Sequence, residues 1–164
     1  MFTPSRDQAR RFLIEAWAKY RAQRPLSDLE QTAVAIIAQH PEYHETLEMG
    51  EANIDRDYRP ESGAVNPFLH LSLHLAVAEQ LAIDQPVGIR AKFERLRVAR
   101  GDEHDALHAL VECLGEVIWS AQRHGTPPAP GGGGYLRMNT NGTQTMYAIV
   151  VTNSVTMPTK ALLM

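Results

Sequence analysis

The chain has 164 residues, 44% of them hydrophobic, with a formal net charge of -3 and a pI near 6.1. That length suffices for one domain with its own core, while the acidic balance offers no global attraction to nucleic acid or to an anionic membrane, whose binders carry a basic excess. A single cysteine, Cys113, excludes an internal disulfide and a thiolate cluster, so metal chemistry within one chain would rest on nitrogen and oxygen ligands.

The opening "MFTPSRDQARRF" lacks the basic-then-apolar order of a secretion signal, and no apolar run reaches the roughly 18 residues needed to span a bilayer. A soluble, cytoplasmic protein is expected. In "SRDQARRFLIEAWAKYRAQ", Phe12, Leu13, Ala16, Trp17 and Tyr20 recur at helical spacing, and Ser5 with Gln8 has the form of a capping box. Pro25 separates this helix from "SDLEQTAVAIIAQ", where Ser27 and Glu30 form a second capping box. Pro41 disfavours helix at His40, so a short helix is expected over "PEYHETLE", ending at Gly50. Residues 51 to 65, charged and containing Pro60 and Gly63, read as a surface loop.

Asn66 as cap and Pro67 at the first helical position open a third long helix, to about Ile83. Pro86 is expected to begin a fourth, basic along Arg90, Lys92, Arg95, Arg97 and Arg100 and closed by Gly101; such a run reads as a solvated face. Asp102 starts the last helix, "DEHDALHALVECLGEVIWSAQRH", which Gly125, Pro127 and Pro128 terminate. The expected fold is all-α: a helical bundle of about five main helices over residues 1 to 125, then a Pro/Gly linker over 126 to 134. Residues 135 to 164 are expected to form a poorly ordered or appended tail. "TMYAIVVT" favours strand, but a lone strand has no sheet to join in a helical domain.

Three histidine pairs share one spacing: His40 with His44, His70 with His74, and His104 with His108. Seven histidines placed at random would give about 0.25 such pairs. Residues four apart stand on one helical face, roughly 6 Å apart along the axis, and two imidazoles so placed can share a cation. In "NPFLHLSLHLAVAEQ", the polar residues Ser72, Glu79 and Gln80 gather on one side. His70 and His74 project from within the apolar arc and should be buried, which demands partners for their ring nitrogens. On the last helix, Leu107, Leu110, Val111, Leu114 and Ile118 define the core stripe, with His104, His108 and Glu112 along its flank. If the two helices pack together, His70, His74, His104, His108 and Glu112 would suit zinc, iron, nickel or manganese. His44 and His40 are secondary candidates: His40 as a neighbour of a helix cap, His44 as an exposed partner of Glu48. Trp17 and Trp119 read as packing anchors and Cys113 as a small core residue.

The segments "NPFLHLSLHLAVAEQLAIDQPVGIR", "HPEYH" and "DEHDALHALVECLGEVIW" closely resemble a small bacterial family, domain of unknown function 1841, from "MFTPSRDQARRF" through "GTPP", the first 128 or so residues. The resemblance implies a carboxylate where this chain has Ala78, and an end near Tyr135 and Leu136. It implies no activity. The expectations are therefore a domain that binds a divalent metal through histidines or, alternatively, a non-catalytic interaction or assembly module, self-associating or bound to another protein, whose histidines only secure the core.

Overall fold

The computed structural model describes residues 6–54, 58, 65–85, 87–124, 134–140 and 143–149. Among the described residues six α-helices run in chain order: α1 (Arg6–Arg21), α2 (Asp28–Ala38), α3 (His44–Glu48), α4 (Pro67–Ile83), α5 (Ile89–Arg100) and α6 (Glu103–His124). Single 3-10 turns, Pro41–Tyr43 and Gly50–Asn53, flank α3. The helical body is as expected. The chain divides into two units, the first built on residues 1–75 and the second on residues 76–155, with α4 contributing to both.

In the first unit α1 packs on α2 and α3. Its core is Leu13, Ala16 and Trp17 from α1, Ala33, Val34 and Ile37 from α2, Leu47 from α3, and Phe68 and Leu71 from α4. The helical periodicity read from the sequence supplies these contacts, each fully covered aliphatic side chain contributing about 1.5–3 kcal/mol. The Ser27 capping box is complete: Ser27 Oγ accepts from the Glu30 backbone N–H, and Glu30 accepts from the Ser27 N–H at 2.8 Å. Glu30 also pairs with Lys19 at 2.5 Å, joining α2 to α1. The buried Arg10 guanidinium donates to the Ile54 carbonyl and lies 5.2 Å from the Phe68 ring centre, tying α1 to the start of α4. The Ser5 half of the first capping box lies outside the described residues.

Asn66 caps α4 as expected, its side-chain oxygen accepting from the Leu69 N–H at 3.2 Å. The polar side assigned to this helix is a correction. Ser72 is 0% exposed and Gln80 3%, so Phe68 and the unbroken run Leu71 to Val77 are buried on every side. With so many apolar positions around the helix there is no amphipathic boundary to leave in water.

In the second unit α5 packs on α6, and α6 buries Ala106, Ala109, Leu110, Val111, Cys113 and Leu114. Leu107 is half-buried, and the Ile118 side chain lies outside the described residues. The fourth helix starts at Ile89, three residues later than its proline suggested. Asp84 explains the delay: its carboxylate accepts from the backbone N–H groups of Gly88 and Arg90, and Gly88 takes φ 87°, a conformation that suits glycine. Arg90 donates to the Leu81 and Ala82 carbonyls, satisfying the end of α4, and Arg97 pairs with Glu94. Two members of the basic run thus have structural duties. Gly101 ends α5 at φ 73°, and Asp102 caps α6 through the Asp105 N–H at 2.8 Å. Trp119 is 59% exposed and stacks with Arg123 at 5.0 Å, so it does not anchor a core.

Within the tail expected to be irregular, Gly134–Thr140 (β1) and Thr143–Ile149 (β2) pair antiparallel, Gly134 opposite Ile149 and Thr140 opposite Thr143. The partner that "TMYAIVVT" lacked is its own neighbour across a two-residue connection, Asn-Gly, a common hairpin sequence. The remainder of the linker and the tail beyond Ile149 lie outside the described residues.

Candidate metal centre

The site grows from the turn between α2 and α3. Pro41 keeps His40 out of helix, at φ -125° and ψ 65°, and the chain turns there into a 3-10 segment whose Tyr43 N–H bonds back to the His40 carbonyl. This leaves the His40 ring 1% exposed. Its Nδ1 lies 2.8 Å from the Ile36 carbonyl oxygen. A carbonyl only accepts, so Nδ1 carries the proton and Nε2 presents a lone pair.

Across from it, α4 projects His70 and His74 on successive turns. His70 Nε2 lies 3.2 Å from His40 Nε2. The His74 ring centre is 4.6 Å from that of His40 and 4.8 Å from that of His70, and His74 is 3% exposed. Candidate ligand nitrogens of His40, His70 and His74 all lie within 4.8 Å of one another. His70 is half-buried, and Tyr43 closes one flank, its ring centre 5.6 Å from His70 and 5.8 Å from His40. Burial pushes the Tyr43 phenol above its ordinary pKa, so it stays protonated at neutral pH.

The expected ligands divide. His70 and His74 lie side by side, His74 buried as expected and His70 only half-buried, and His40, a secondary candidate, stands opposite them. His44 is neither exposed nor paired with Glu48. Its Nε2 donates to the Ile37 carbonyl at 2.9 Å, its ring lies 4.4 Å from Trp17, and Glu48 faces Arg21 at 3.7 Å. On α6, His104 and His108 are half-buried with ring centres 4.2 Å apart, while Glu112 is exposed. Cys113 donates from Sγ to the Ala109 carbonyl at 2.9 Å, and burial, followed by the charge of Glu116, pushes its thiol up to about 12. It is a packed, unreactive core residue.

His40 is the residue whose importance sequence spacing understated. Its partner His70 is 30 positions away, and no helical periodicity connects the two.

Three neutral imidazoles arranged in this way can hold a divalent transition-metal ion, with a backbone carbonyl orienting one of them as metal-bound histidines commonly require. Among the described residues no helix is long and apolar enough to cross a membrane. No curated protein and no solved structure matches the chain. One family model does, over residues 5–138, reaching past the proline linker into β1. The long segments that carry the resemblance thus have their counterpart in a match over most of the chain, which belongs to the family described as Domain of unknown function (DUF1841).

Proposed function

We propose that this protein binds a divalent transition metal through His40, His70 and His74. The observation that carries the reading is the 3.2 Å separation of His40 Nε2 and His70 Nε2, combined with the Nδ1 proton that turns the His40 lone pair inward. Two nitrogens held at about 2.0–2.1 Å from one tetrahedral ion are themselves about 3.3–3.4 Å apart, so the rings need little movement to share a metal. An all-imidazole set suits zinc, iron or nickel better than manganese, which prefers oxygen ligands. Exposed Glu112 and the α6 pair His104 and His108 are left outside the ligand set.

Elemental analysis tests this on protein purified without an affinity-tag metal or chelator. About one ion per chain is expected, with affinity reduced at least about 100-fold in His40→Ala, His70→Ala and His74→Ala, a larger loss than removal of an outer hydrogen-bond partner causes. His104→Ala should retain the ion. The 3.2 Å contact also fits a direct hydrogen bond from His70 to His40, the arrangement expected of an interaction module whose histidines secure the core. Protein with no bound metal, and no thermal stabilisation by added Zn, Fe or Ni, would leave that second reading in place.

A further inference from the structure

We infer that a cleft between α1 and the 3-10 turn that follows α3 binds a zwitterionic α-amino acid with a large apolar side chain, such as phenylalanine. The inference is independent of the metal-binding reading. The cleft has a volume of about 580 Å3 and lies within the first unit. Ile14, Ala18 and Ala22 follow one another at four-residue steps along one side of α1 and, with Leu47 of α3, give the cleft its apolar lining. Gly50, at φ 59°, bounds it on the far side, where a side chain would meet nothing within 4 Å, so the mouth is open. A mostly apolar concavity of this size with a few polar groups is the usual form of a small-molecule site.

The polar groups select the ligand. Arg21 and Glu48, both exposed, face each other at 3.7 Å on the lining of the cleft. So long and so wet an ion pair holds little energy, and each partner can exchange the other for a ligand charge at small cost. An amino acid supplies both exchanges at once: its carboxylate takes the Arg21 guanidinium, its ammonium takes the Glu48 carboxylate, and no charge is left unpaired. A simple carboxylate reaches Arg21 but is repelled by Glu48, and a simple amine meets the reverse conflict. Trp17 adds a third group. It lines the cleft, is buried, and among the described residues its indole N–H has no acceptor. A buried donor left unmade is costly, and a ligand carboxylate oxygen reaching the edge of this ring satisfies it.

The experiment uses the full chain carrying Trp119→Phe, a change at an exposed ring, so that Trp17 gives the one indole N–H signal in a proton–nitrogen correlation spectrum. L-Phenylalanine is titrated in and, separately, hydrocinnamate, which lacks the ammonium, phenethylamine, which lacks the carboxylate, and glycine, which lacks the apolar side chain. The expected result is a saturable movement of the Trp17 signal with L-phenylalanine, binding at least about tenfold weaker for hydrocinnamate and phenethylamine, and no movement with glycine. Arg21→Ala and Glu48→Ala, both at exposed positions, should each weaken L-phenylalanine binding about tenfold. Hydrocinnamate binding as tightly as L-phenylalanine overturns the amino-acid assignment, and a Trp17 signal that L-phenylalanine leaves unmoved overturns the site itself.

Discussion

The Nδ1 proton of His40 sets the chemistry of the cluster, because it fixes which nitrogen can meet His70. The same reasoning gives His44 a different fate: its Nε2 is occupied by the Ile37 carbonyl and its ring by Trp17. His44→Ala should therefore keep the metal and lose about 1–3 kcal/mol of stability, since it strips a carbonyl of its donor and opens space beside Trp17; denaturant titration and elemental analysis on one preparation separate the two effects. Cys113 provides a second contrast at this scale. With its thiol pushed up to about 12 by burial and hydrogen-bonded to Ala109, it should resist alkylation in the folded protein at neutral pH and react promptly once urea unfolds the chain, as mass spectrometry would record. Rapid labelling of the native state would contradict its place in the core.

Helix ends carry consequences for the site because α4 delivers His70 only one turn after its cap. Asn66→Ala removes the acceptor for the Leu69 N–H and should cost about 1 kcal/mol. Fraying of that first turn moves His70 before His74, so weaker metal binding is expected alongside the lower stability, and isothermal titration with Zn2+ reads it. The cap of α2 predicts a pH dependence. The Lys19 ammonium, and next the Ser27 backbone N–H, hold the Glu30 carboxyl near 2, below its ordinary 4.5. Its folded value lies below the unfolded one, so the stabilisation is fully present above about 4.5 and is lost as pH falls toward 2. In Glu30→Gln, which retains a capping acceptor, that component of the acid-induced loss should vanish from urea unfolding curves measured across the same range. In the tail, Asn-Gly between the segments of β1 and β2 is the local sequence signal for their pairing.

For the molecule as a whole, the proposed metal site would link metal binding to folding, since the unfolded chain does not hold His40 beside His70. Free Zn2+ at about 100 times its dissociation constant should stabilise the protein by about 2.7 kcal/mol, and chelation should reverse the gain; calorimetry before and after chelator treatment measures it. What the sequence determined by itself is local. Capping residues, proline positions and apolar periodicity gave α2, α4 and α6 their ends, put His70 and His74 on a buried stretch of helix, and marked the family through long matching segments. These features depend on residues a few positions apart, and backbone geometry converts such spacings directly into helix faces. Tertiary structure alone decided that His40 meets His70 across 30 residues, that His44 turns to Trp17, and that Ser72 and Gln80 are covered. Those outcomes depend on which surfaces pack against which, a choice made by burial of the assembled core and absent from the periodicity of any single segment.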